Sequence, residues 1–141
     1  MLKPGIIPDG ATRWARYRLG YHLVWVPKYR RAVLRDDVVK TLRGALSRAC
    51  DVAGYALLAA EADRDHAHVF VSAPPAVSPA DIARVLKGAS SRAIRAAHPD
   101  VARHAGPRGL WSQSYYAGTV GDMSATTVRH YIENCQGPKG P

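Results

Sequence analysis

Tyr55 to Ala73, YALLAAEADRDHAHVFVSA, is the stretch on which the reading of this chain turns. Tyr55 to Glu61 and His66 to Ala73 are short strand-like runs, and Ala62-Asp63-Arg64-Asp65 between them is polar enough for the tight turn of an antiparallel hairpin. Side chains alternate along a strand, so Ala67, Val69 and Val71 share one face, the expected core face. His66, His68, Phe70 and Ser72 share the other. The two imidazoles then project side by side, close enough to bind one cation. Residues two apart on a helix do not face each other.

Upstream, Tyr17 to Val26 is rich in aromatic and β-branched residues and predicts a strand stopped by Pro27. Asp36 and Asp37 then open a helix carrying Val38, Val39, Leu42, Ala45, Leu46 and Ala49 at helical spacing, with Gly54 as its stop. Downstream, Pro74-Pro75 closes the hairpin. Ser78 as cap and Pro79 at the first helical position start a second amphipathic helix that runs to Pro99. Asp100 to Gly109 is expected to be loop, and a fourth strand is expected around Ser114 to Val120. Ser124 caps a last helix ending at Gly137-Pro138, with Val128, Tyr131, Ile132 and Cys135 as its stripe.

Strand, helix, strand, strand, helix, strand, helix is an α+β order. It predicts a ferredoxin-like split βαβ antiparallel sheet with an added C-terminal helix carrying Tyr131. Residues 1–16, punctuated by Pro4, Gly5, Pro8 and Gly10, are expected to form an irregular arm, and 17–141 a single domain.

The chain has 141 residues, of which 47% are hydrophobic, enough for one core and too few for two. It lacks an apolar run long enough to cross a membrane and a secretion signal, so a cytoplasmic location and no membrane partner are expected. Two cysteines, Cys50 and Cys135, make neither a disulfide framework nor a zinc motif. A formal charge of +9, from 20 Lys and Arg against 11 Asp and Glu, favours a polyanionic partner, nucleic acid first.

Histidine pair and tyrosine together point to phosphodiester chemistry. A cation held by His66 and His68 stabilises charge on phosphoryl oxygens while a nearby phenol oxygen attacks phosphorus. Free tyrosine ionises near pH ~10, so Tyr131 needs the cation or a basic field to act at neutral pH. Glu61, Asp63 and Asp65 lie close enough in the hairpin to orient an imidazole, Asp65 being the preferred one. The remaining histidines, His22, His98, His104 and His130, have no paired spacing and are taken as ordinary surface or core residues.

Five collinear segments narrow this further: YHLVWVPKYRR (Tyr21 to Arg31), DHAHVFVSAPP (Asp65 to Pro75), LKGASSR (Leu86 to Arg92), LWSQSYYAGTVG (Leu110 to Gly121) and VRHYIEN (Val128 to Asn134). In that order, over about residues 17 to 136, the chain resembles the single-tyrosine HUH transposases of small bacterial insertion sequences. The resemblance implies a homodimer that cuts and rejoins single-stranded DNA at the element's ends through a 5′-phosphotyrosine intermediate and recognises subterminal hairpins. It also implies composite active sites, with the histidines from one subunit and the tyrosine helix from the other. His66 and His68 map onto the Mg²⁺ or Mn²⁺ ligands, and Tyr131 onto the nucleophile. Lys28, Arg30, Arg31, Lys87 and Arg92 are the basic residues within the matching segments and the candidates for phosphate contact. Trp25, Trp111, Tyr115 and Tyr116 are candidates for base stacking or for core packing.

One position departs from the family pattern. The family reads Tyr-x-x-x-Gln, its glutamine being the third metal ligand, whereas here Cys135 stands fourth after Tyr131 and Gln136 fifth. At about 100° per residue the fifth position swings off the tyrosine's face. Gln136 is the expected third ligand provided the helix loosens before Gly137, and Asn134 is the other oxygen donor in reach. A thiolate suits a hard cation poorly. The alternative function is therefore a domesticated hairpin or single-strand binding protein without transposition.

Overall fold

The computed structural model describes residues 7–120. Tyr131, Asn134, Gln136 and the expected last helix lie outside the described residues. Strand β3 (Gly20–Trp25) leads through a turn at Lys28–Arg30 into helix α1 (Asp36–Ala53), and then into strands β4 (Ala56–Asp63) and β5 (His66–Ser72). Helix α2 (Pro79–Ala97), helix α3 (Pro99–Ala105) and strand β6 (Tyr116–Val120) follow. The sheet has the antiparallel order β4-β5-β3-β6, which is the ferredoxin-like arrangement.

Local chemistry accounts for the boundaries. Gly54 ends α1 in the left-handed conformation, φ 81°, with its N–H on the Cys50 carbonyl. Ser78 and Asp81 form a reciprocal capping box at the head of α2, with the Asp81 N–H donating to Ser78 Oγ at 3.0 Å. The β4–β5 ladder runs out to Asp63↔His66, which leaves Arg64 and Asp65 as a two-residue turn rather than the four residues expected.

Three expectations need correction. Part of the arm is paired: two-residue strands β1 (Gly10–Ala11) and β2 (Arg16–Tyr17) form their own antiparallel ladder, so the central strand begins at Gly20 instead of Tyr17. The expected loop after Pro99 holds a helix. Pro99 stops α2 yet sits at the first position of α3, where its missing N–H costs nothing, and Arg35, the N-cap of α1, grips Asp100 at 2.6 Å. Third, β5, expected to have one core face, is buried on both.

Helices α1 and α2 lie against one face of the sheet. Their Val38, Leu42, Leu46, Ile82, Leu86 and Ile94 enclose Leu23, Trp25, Ala67, Val69 and Val71. Each fully buried aliphatic or aromatic side chain contributes about 1.5–3 kcal/mol, so this face carries most of the fold's stability. Behind α2, the Ser90 and Ser91 hydroxyls bond Trp111 Nε1 at 3.0 Å and Leu110 N at 2.9 Å, which pins the loop leading to β6. The opposite face of the sheet is left for chemistry.

Candidate active site

Strand alternation sends His22, His66, His68 and Phe70 to the face away from the helices. Register sets their neighbours: His22 stands beside Phe70, and Val24 lies between His68 and Tyr116. His66 and His68 are 6% and 1% exposed, and their rings cross at 66° with centroids 4.8 Å apart. Each ring is fixed through Nδ1. His66 Nδ1 lies 2.7 Å from Asp65 Oδ1, and His68 Nδ1 lies 3.4 Å from His22 Nε2. Both Nε2 atoms are buried with no hydrogen-bond partner among the described residues.

Buried imidazole nitrogens without partners carry a desolvation cost that a bound cation removes. The donor chemistry fits. A metal-binding histidine commonly donates its other N–H to a carboxylate or another acceptor, which sets the tautomer and the ring plane. Asp65 stands in that place for His66, and the His22 Nε2 stands 3.4 Å from Nδ1 of His68. Burial pushes the pKa of His68 down to about 4, with repulsion from His66 and His22 acting in the same direction. Burial alone takes His22 to about 4. Both are neutral at physiological pH, the state a ligand and its acceptor require.

Asp65 is held below the usual carboxylate range by its bond to His66 and by the Arg30 guanidinium, which donates to Oδ2 at 3.0 Å. A chain Arg30–Asp65–His66 therefore runs from a surface turn to the buried ring. The other two acids of the hairpin are occupied elsewhere. Glu61 pairs with Arg43 at 2.8 Å, and Asp63 accepts the Arg64 N–H at 2.9 Å.

His22 is the residue of this face that sequence reasoning missed. Its ring stacks on Phe70, centroids 4.4 Å apart at 3°, and meets Tyr116 edge-on at 5.7 Å. Part of the signal was there: in YHLVWV, alternation puts His22 opposite Leu23 and Trp25, off the core face, and the strand register then brings it to Phe70 and His68. Gly118 lets Tyr116 fold back towards His22, since a Cβ there would stand 2.6 Å from the phenol oxygen.

The basic candidates separate. Lys28 donates to the Ala105 carbonyl at 3.4 Å, and Arg31 sits 5.5 Å from the Tyr29 ring, both on the turn beside the site. Lys87 is turned to structure instead: its ammonium donates to the carbonyls of Ser112 at 2.7 Å and Gln113 at 3.2 Å, and burial lowers its pKa. Arg92 lies in the groove between α1 and α2, away from the histidine face. Trp25 and Trp111 are core, while Tyr115 and Tyr116 are 40% and 51% exposed.

Comparison with known proteins places this face in context. A family model described as "Transposase IS200 like" matches residues 15–135. The chain belongs to the IS200-like transposase family. It is 34% identical over 118 residues to the ISDra2 transposase TnpA of Deinococcus radiodurans, covering 84% of each. It is 31% identical over 123 residues to the transposase for insertion sequence element IS200 of Salmonella typhimurium, covering 87% of this chain and 78% of that one. A crystal structure of a Deinococcus radiodurans transposase superposes with TM-score 0.72 at 36% identity, over 89% of this chain and 96% of that one. A REP-associated tyrosine transposase bound to a REP hairpin shares the fold, with TM-score 0.56 at 14% identity over 87% of this chain and 69% of that one. An IS200-like transposase binds DNA, cleaves it and transfers strands, and the family in general depends on a divalent metal. No helix among the described residues is long and apolar enough to cross a membrane.

Proposed function

We propose that this transposase cuts and rejoins single-stranded DNA at the ends of an insertion sequence, recognises subterminal hairpins there, and works through a 5′-phosphotyrosine on Tyr131. The observation that carries the reading is the pair of buried Nε2 atoms on His66 and His68, without a partner among the described residues, with each ring's Nδ1 already tied. His66 and His68 would hold Mg²⁺ or Mn²⁺, with Gln136 as third ligand and Asn134 as the other candidate. When bound, the ion stabilises charge building on the phosphoryl oxygens. Asp65 and His22 hold the two ligand rings through Nδ1 and so fix their planes. Lys28, Arg30 and Arg31 bring the backbone phosphates to this face.

The Tyr131 oxygen attacks phosphorus in line with the departing 3′ oxygen. A phosphotyrosyl bond forms, the P–O3′ bond breaks, the phenol proton is released, and the 3′ oxygen leaves as a hydroxyl. The link conserves the phosphodiester's energy, so a second 3′-OH reverses the step and joins new ends without ATP. In the composite arrangement two chains form a homodimer, each lending its tyrosine helix to the other's histidines.

The test is a labelled hairpin oligonucleotide with a single-stranded flank, incubated with Mg²⁺ or Mn²⁺. Wild type gives a denaturation-resistant protein–DNA adduct and Tyr131→Phe gives none. No adduct from wild type with either ion overturns the reading. Cys135, standing where the family carries its ligand glutamine, favours the second reading, a hairpin-binding protein that no longer cleaves. That reading requires hairpin binding to persist while no adduct forms.

A further inference from the structure

The turn that follows β3 breaks a backbone rule. Tyr29 and Arg30 are the non-glycine residues at positive φ among those described, 62° and 49°, next to each other. Side-chain sterics disfavour this region, and tyrosine is among the residues least suited to it. Burial does not explain the exception, because the Tyr29 ring is 79% exposed. The backbone around it is nevertheless held firmly: Lys28 N donates to the Leu110 carbonyl at 3.0 Å, Arg30 N to the Pro27 carbonyl at 2.9 Å, and Pro27 bridges to Trp111. A large apolar ring is thus kept in water on a strained, anchored turn, a pattern expected of functional rather than folding constraint.

Its position says for what. Trp25 pairs with Ala67, so the turn continues β3 past the end of β5 that carries His66. Arg30 leaves the same turn to bond Asp65, which bonds His66. Arg31 lies 5.5 Å from the Tyr29 centroid, placing a cation against the ring. An exposed aromatic face with interleaved basic residues is how proteins hold an unpaired base and its phosphate, because every base has a π face to stack. Trp14 is also exposed, 83%, with Arg13 at 4.8 Å, but it sits on the β1–β2 hairpin.

We propose that Tyr29 is a stacking platform for one unpaired base of the DNA strand adjoining the scissile phosphate. Arg31 stands over the same ring, and Arg30 couples the platform to His66 through Asp65. The proposal rests on the single-strand cleavage reading and adds to it a residue that selects unpaired over paired DNA beside the cut.

The experiment measures affinity of the full chain for two fluorescent DNA hairpins, one with a single-stranded flank and one blunt. Tyr29→Ala is expected to bind the flanked hairpin about tenfold more weakly and the blunt one as wild type does, the loss of a single base–aromatic stack. Tyr29→Trp keeps the affinity. Tyr29→Asn, which tolerates the left-handed backbone, reproduces the alanine loss with an unchanged thermal melt, so a collapsed turn is not its cause. Replacing flank nucleotides one at a time by abasic sites locates the stack: at one position wild type falls to the level of Tyr29→Ala, and the variant loses nothing more. Equal affinities of wild type and Tyr29→Asn for the flanked hairpin overturn the proposal, as does an equal loss on both hairpins or an equal loss from Trp14→Ala. Adduct formation by wild type is followed in the same samples. If the adduct forms while the Tyr29 variants bind as wild type, only the platform falls; if wild type neither forms adduct nor favours the flank, the cleavage reading falls with it.

Discussion

Replacing His22 by phenylalanine separates the chemical role of that ring from its packing. Phenylalanine can keep the stack on Phe70, now 4.4 Å and 3° from parallel, and the edge contact with Tyr116 at 5.7 Å. What it deletes is the nitrogen 3.4 Å from His68 Nδ1. That contact is longer than the usual 2.7–3.2 Å of an N–H bond, so the effect belongs at the low end of the 10–100-fold loss seen when a ligand's outer partner is removed. About tenfold weaker binding, or about 1.4 kcal/mol, is expected for Mn²⁺. Stability changes little. A lost hydrogen bond of about 1 kcal/mol is set against relief from burying a polar ring, which leaves a melting shift of about 4 °C or less. Calorimetric titration with Mn²⁺ and a thermal melt without metal read the two quantities separately, and His22→Gln, which restores an acceptor, should recover part of the affinity. Unchanged Mn²⁺ affinity in His22→Phe, or a melting loss large enough to account for the weaker binding, would refute the assignment.

Asp65→Asn removes the charge shared by His66 and Arg30, and should lower Mn²⁺ affinity by about 10–100-fold while flanked-hairpin binding, read by anisotropy, falls less. Ser90→Ala strands the buried Trp111 Nε1 and should cost about 1–3 kcal/mol in urea unfolding, whereas adding Trp111→Phe to it should return part of that loss. Asp100 is lowered from 3.8 to about 2 by its bond to Arg35, so the folded state binds that proton less readily than the unfolded chain. The stabilisation is complete above about 3.8 and is lost as pH falls through about 2; Arg35→Gln should flatten the acid limb of the stability profile across that window, and an unchanged limb would dismiss the pair as a tie on α3.

Alternation and caps made most of the sheet and both long helices legible, because one sequence feature decides each. Ala67, Val69 and Val71 fix the core face of β5, Ser78-Pro79 starts α2, and Gly54 stops α1. The short helix after Pro99 was illegible for a physical reason. A helix of a single turn or two draws its stability from outside itself, here from Arg35 at the N-cap of α1 reaching Asp100, and a contact spanning 65 positions leaves no local trace. The carbonyl contacts of Lys87 were illegible for a similar reason. Its sequence neighbours say only that it is basic, while the carbonyls that take its ammonium come from a loop 25 residues away. Of the candidate site, the histidine pair was readable from two-residue spacing, but His22 needed the strand register to bring it to His68.

Register also explains why a small basic domain can carry this site at all. Three imidazoles on one sheet face would repel one another if charged, and His68 is pushed down to about 4 in part by that repulsion. Burial keeps His22 and His68 neutral, and the two Nδ1 contacts leave the Nε2 atoms of His66 and His68 bare. The helices on the far side of the sheet make that arrangement tolerable, since the hydrocarbon of Val38, Leu42, Leu46, Ile82 and Leu86 stabilises the fold without help from the polar face. Two nitrogens are thereby left without a partner among the described residues, on a strand whose other side packs the hydrocarbon core, which separates what the proposed site needs from what holds the scaffold together.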